Sequence, residues 1–166
     1  MNRTSARLPD DISELCLIRL GVQSRKISAL PYLFRLGRAI ERSSREAIAA
    51  GAGLLHSDLF RIAWNHFGVL QYWRSFEELE AWSHTSPHAD WWREASERLR
   101  TKADFAIYHE TFLVPRDSIE SIYMNALPTG LLAFGATGEP AGLDANSRGR
   151  LRREKTKSSA DDADQF

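Results

Sequence analysis

The chain has 166 residues, 43% of them apolar and 27% charged, which is enough for one domain with a buried core. Its 22 basic and 22 acidic residues cancel, so no net field favours nucleic acid, an anionic membrane or an acidic partner. Cys16 is the one cysteine; with no second thiol, apolar span or N-terminal leader pattern in view, a cytoplasmic protein without a membrane span is expected.

Residues 1–13 are polar and read as a flexible N-terminus. "ELCLIRL" (14–20) is short, branched and apolar, the pattern of a buried strand. From about Ser28 to Ala50 a helical face of Leu30, Leu33, Phe34, Ala39 and Ile40 alternates with arginines, with Pro31 placed for a first turn and Gly51 for a stop. The stretch "LLHSDLFRIAWNHFGVLQYWRS" predicts two strands turning near Asn65–Gly68. In the second strand Val69, Gln71 and Trp73 share one face, and Leu70, Tyr72 and Arg74 the other.

Ser75 and Glu78 have the spacing of a capping box, so a helix starts there. Ser86 and Pro87 predict the N-cap and first residue of a second helix running to about Lys102, with Trp91 or Trp92, Ala95 and Leu99 as its buried stripe. "DFAIYHETFLV" and "SIESIYMNAL" read as two further strands. After Leu132 the composition turns to Gly, Ala, Ser and charge, so residues 136–166 are expected to form a disordered tail; its basic run, 148–157, reads as solvated.

Strand, helix, strand, strand, helix pair, strand, strand is an α+β order close to the ferredoxin-like, split βαβ kind with an extra strand: an antiparallel sheet with helices on one face. The other face carries aromatic residues and calls for a partner, so a homodimer with sheet packed on sheet is expected.

"QYWRSFEELEAW", "PHADWWR", "IYHETFLVP" and "ESIYMNALPTGL" together resemble a monooxygenase-like family of unknown function, whose members are similar to an oxygenase of a fungal meroterpenoid pathway. The likeness runs from about Glu14 to Leu132; one departure is Tyr108, where the family usually has Trp ahead of His-Glu. The resemblance implies a dimeric α/β barrel over residues 14–135. That fold is shared by cofactor-free quinol-forming monooxygenases and by haem-binding aldoxime dehydratases.

Its expected function is a metal-free, monooxygenase-like reaction on an electron-rich aromatic, enol or terpenoid-type substrate in secondary metabolism. A haem enzyme and a non-catalytic metabolite-binding protein are the alternatives.

The candidate catalytic residues are His109, Glu110 and Arg74. His109 and Glu110 are strand neighbours whose side chains leave opposite faces, so one lies towards the helices and the other towards the barrel. His109 is the candidate base or hydrogen-bond anchor, Arg74 the candidate partner of an oxyanion, and Glu110 a second base if desolvated. The structural alternative pairs Glu110 with Arg74.

Tyr72, Trp73, Trp92 and Tyr123 are candidate aromatic walls of a substrate pocket, with Asn125 a hydrogen-bonding neighbour of Tyr123. His88 matches a family histidine and is a candidate cavity residue or axial haem ligand. His84 and His88 stand four apart, but Ser86 and Pro87 intervene, so no metal site is expected.

Overall fold

A computed structural model describes residues 2–152. The chain divides into two units, Cys16–Phe112 and the pair of segments Met1–Leu15 and Leu113–Phe166.

The first of these is built on β2 (Glu14–Ser24), α1 (Leu30–Ala49), β3 (Leu54–Ala63), β4 (His66–Trp73), α2 (Phe76–Ser83), α3 (His88–Lys102) and β5 (Phe105–Pro115). The strands stand in the order β3-β4-β2-β5, with β2 and β3 both antiparallel to β4. This is the expected α+β, ferredoxin-like arrangement. Cys16 lies opposite Trp73 and Leu20 opposite Val69, so the even-numbered residues of β2 and the odd-numbered residues of β4 share a face.

That face is the helix-covered one. Leu20, Val22, Val69 and Phe105 pack with Leu33, Leu36 and Ile40 of α1 and with Trp91 and Ala95 of α3. A second cluster joins Cys16, Leu54 and Trp73 to Ala47 and Leu79. Pro31 sits in the first turn of α1, as its fixed φ favours, and Gly51 follows the helix at φ 64.

On the other face Gly21 lies opposite Gly68. A Cβ at Gly21 would fall within the Tyr108 ring, and one at Gly68 would crowd Phe60. The two glycines therefore let these rings lie flat on the sheet, with the Arg19 guanidinium 5.2 Å from the Phe60 centroid and 5.1 Å from that of Tyr108.

Several boundaries differ from the sequence reading. The β3–β4 turn is Trp64–Asn65. Helix α3 begins at His88 with Pro87 at its N-cap position, while the Ser86 hydroxyl bonds the Asp90 carboxylate at 2.6 Å. Ser75 does cap α2, its Oγ accepting the Glu78 N–H at 3.2 Å. The reciprocal half of the box is not made by Glu78 Oε2, which is buried without a partner among the described residues.

The second unit corrects the reading of both ends. Residues 3–7 form β1 (Arg3–Arg7) and are not loose: they pair with β6 (Tyr123–Met124) and with β7 (Ala136–Gly138). Arg116 is 6% exposed and donates from Nε to the Ile12 carbonyl at 2.9 Å and from Nη1 to Leu8 at 3.3 Å. It thereby holds the turn that follows β1.

The strand expected over 118–127 shrinks to two residues, because Ser121 Oγ takes the Ala6 N–H and donates to the Ala6 carbonyl, replacing ladder bonds. The expected tail also starts too early. Residues 136–152 carry β7, a 3₁₀ turn at Gly142–Ala145 and a helical stretch over 147–152. Within the basic run, Arg150 is 5% exposed and donates to Glu120 at 2.7 Å, a buried ion pair where solvation was expected. Residues 153–166 of the expected tail lie outside the described residues.

Candidate functional site

A cavity of about 600 Å³ lies in the Cys16–Phe112 unit, on the helix-covered side of the sheet. Its inner wall comes from Ile18 and Leu20 of β2, Gln71 and Trp73 of β4, and Ile40 and Ser43 of α1. Phe76, Leu79 and Trp82 of α2, with His88, Trp91 and Trp92 of α3, form the helical wall, and His109 and Thr111 of β5 complete it. Alternation along β2, β4 and β5 delivers these residues: each contributes every second side chain to one face.

At the inner end the polar side chains bond one another, while the buried Trp91 N–H of the helical wall has no partner among the described residues. Trp73 is 1% exposed, and its indole N–H donates to Gln71 Oε1 at 3.1 Å. Gln71 Nε2 donates onward to Ser44 Oγ at 2.9 Å, and that hydroxyl donates to the Ile40 carbonyl at 3.0 Å. An indole is donor-only and a carbonyl acceptor-only, so the chain has one direction and fixes the Gln71 amide. Trp82 Nε1 similarly donates to Ser43 Oγ at 3.3 Å.

At the outer end Phe76 is 41% and Trp92 37% exposed. Four rings run in succession along this wall, the first two contacts T-shaped and the third tilted. His88 lies 4.6 Å from Trp91, Trp91 5.8 Å from Trp92, and Trp92 6.1 Å from His109, centroid to centroid.

His88 is the constrained histidine. Its Nδ1 lies 2.9 Å from the Ser83 carbonyl oxygen; since a carbonyl only accepts, Nδ1 carries the proton. Nε2 is then a bare acceptor on a ring that lines the cavity. Burial lowers the pKa of His88 below its ordinary value, a shift the Ser83 bond opposes and nearby His84 reinforces. The ring is neutral at pH 7.

The cavity thus gathers Trp73, His88, Trp92 and His109 from the sequence candidates. The others sit elsewhere. Glu110 is on the opposite face and pairs with Arg19 at 2.8 Å, where the sequence suggested Arg74. Arg74 follows the end of β4, exposed and outside the lining. Tyr72 turns to the face of Glu110, its ring 6.1 Å from His56.

Tyr123 and Asn125 belong to the other unit, where Asn125 at φ 50 accepts the Asn2 N–H at 2.8 Å. The cavity lies under the helices, on the His109 side of β5, a choice between His109 and Glu110 that the sequence left open. Gln71 and Ser44 were missed, because nothing in their spacing marks a relay between a strand and a helix.

Among the described residues no group of three His, Cys, Asp or Glu could hold a metal ion, and no helix is long and apolar enough to cross a membrane. Residues 15–131 match the family described as monooxygenase af470-like. The chain belongs to that family.

The matched span includes every lining residue of the cavity. No curated protein matches this family member in sequence. Among solved structures, an aldoxime dehydratase in complex with butyraldoxime superposes with a TM-score of 0.69 at 20% identity, over 93% of this chain and 43% of that one. Another aldoxime dehydratase gives 0.63 at 19%, with the same coverage.

A variant of SnoaB, a cofactor-independent oxygenase from Streptomyces nogalater, gives 0.41 at 14% identity over 60% of this chain and 91% of that one. At these identities the dehydratase likeness is one of fold. This af470-like chain spans less than half the length of those dehydratases.

Proposed function

We propose that the chain is a small-molecule enzyme of monooxygenase type, acting without metal on an electron-rich aromatic, enol or terpenoid-type substrate. The carrying observation is the aromatic cavity of about 600 Å³ whose outer wall is closed at both ends by histidine, His88 and His109. Family membership supports the same reading.

In this mechanism a histidine takes a proton from the bound substrate, and the excluded-water cavity keeps the resulting anion reactive towards dioxygen. The balanced outcome for an activated methylene is conversion of CH₂ and O₂ to C=O and water, with all the electrons coming from the substrate. His109 serves as base or anchor, Trp73 and Trp92 as walls. Arg74 and Glu110, outside the lining, take no part.

The test is oxygen uptake by the purified protein with a panel of phenols, enols and terpenoid enols. Turnover that falls at least about 100-fold in His109→Ala or His88→Ala, with the fold intact, supports the reading. Uptake unchanged in both variants overturns it.

A haem enzyme is the second reading, favoured by one observation: a bare Nε2 opposite an Nδ1–H bonded to a carbonyl is how a metal-ligating imidazole is held. His88 would hold the iron, which would supply a Lewis acid and redox centre; His109 is the alternative ligand. Titration with hemin tests this. A sharp Soret band at one haem per chain, lost in His88→Ala or His109→Ala, establishes it, and a broad band unaffected by either variant removes it.

The sheet face opposite the helices carries Phe60, Tyr72, Tyr108 and Phe112 around the Arg19–Glu110 pair. Asp58 and His56 lie on the same face. The aromatic rings and charges of both signs support a homodimer packed sheet on sheet, since such a face can meet its own copy across a twofold axis.

A further inference from the structure

The two ends of the cavity differ in what they can offer a ligand. At the inner end the indole N–H groups of Trp73 and Trp82 and the amide of Gln71 are bonded to protein. A polar group placed against these would lose water and gain no bond from them, whereas the buried Trp91 N–H, which has no partner among the described residues, stands beside His88 at the other end. Among the described residues no protein group bonds His88 Nε2, and its Ser83 bond prevents that nitrogen from being the donor.

We propose that the cavity takes an apolar molecule body first and that His88 Nε2 accepts the hydrogen bond of its single hydroxyl, so that His88 selects neutral alcohols, phenols or enols over ethers and carboxylates. This rests on the reading that the cavity is the substrate site.

The discrimination follows from lone pairs. An ether has no proton to give Nε2. A carboxylate brings its own lone pairs against the imidazole lone pair, and its charge into an apolar wall. Arg93, on the lining, does not reverse this: it is largely exposed and its guanidinium leans to Asp90 at 3.4 Å, while Glu80 lines the same rim. The unpartnered Trp91 N–H beside His88 can donate to the oxygen of an alcohol, an ether or a carboxylate alike, so the difference between the head groups rests on Nε2.

Farnesol, farnesyl methyl ether and farnesoic acid share one hydrocarbon body and differ in the head group. None absorbs where tryptophan emits, so quenching of the cavity indoles, or calorimetry, reads their binding at pH 7.5. Farnesol is expected to bind about tenfold more tightly than the ether or the acid, the worth of one hydrogen bond.

His88→Asn keeps a donor near Nδ1 for Ser83 and removes the Nε2 acceptor; it should bring farnesol down to the affinity of the ether. His88→Gln places an amide oxygen near the Nε2 position and should restore most of the preference. A variant that merely loosened the wall would weaken all the compounds together.

Equal binding of farnesol and its ether, or a farnesol preference that survives in His88→Asn, overturns the assignment while leaving the cavity as the binding site. Failure of all the compounds to bind overturns both the assignment and the reading on which it rests.

Discussion

His88 links structure to titration. Its folded-state pKa is lowered by burial, so between that value and the unfolded value of about 6.5 the unfolded chain binds more protons. Stability from this group is therefore fully present above about pH 6.5 and is lost as pH falls through the folded pKa; in His88→Asn, thermal melts between pH 5 and 7 should lose that component of the slope.

Asp104 has the same sign at lower pH. Hydrogen bonds from Arg98, at 2.5 and 3.2 Å, hold its carboxyl below the ordinary carboxylate range. Its contribution is present above the unfolded value of about 3.9 and is lost as pH falls further. Arg98→Ala should flatten the acid limb of a stability–pH curve below about pH 4. Both residues were legible as histidine and aspartate, but neither partner was: Ser83 and Arg98 meet them through helix ends, not through a motif.

Elements carry their own expectations. Ser75→Ala removes the cap of α2 and should cost about 1 kcal/mol in urea unfolding. That cap was readable because Ser and Glu at three-residue spacing act locally. The flat packing of Tyr108 on Gly21 was not readable, since it joins residues 87 positions apart in sequence.

Gly21→Ala should destabilise by about 1–3 kcal/mol by driving Tyr108 from the sheet and from its 2.8 Å bond with His66. Adding Tyr108→Ala should remove most of the additional cost, a coupling a double-mutant cycle measures. Helices and strands were legible from periodicity over 14–115. The strand beyond 115 was overestimated, because a side chain, Ser121, substitutes for the backbone ladder.

At the scale of the molecule, the proposed homodimer gives a solution test. Light scattering after gel filtration should return twice the chain mass, and Phe112→Glu, which places a charge on the aromatic sheet face, should shift it towards the monomer. A monomeric parent chain would remove the dimer from the functional reading without touching the cavity. Arg116→Ala should destabilise the second unit by about 3 kcal/mol or more, because the Leu8 and Ile12 carbonyls lose a buried charged donor. Arg116 looked like any surface arginine in the sequence.

By itself the sequence determined the alternation that builds the four-strand sheet and the helix that follows Ser75, since each depends on neighbours within a few residues. It also carried the family likeness. Only the tertiary structure decided which sheet face holds the cavity, that Glu110 answers to Arg19, and that β1 pairs with β6 and β7. Those outcomes depend on which distant surfaces bury one another. A one-dimensional pattern can show that a strand has two faces, but not which of them the helices will cover.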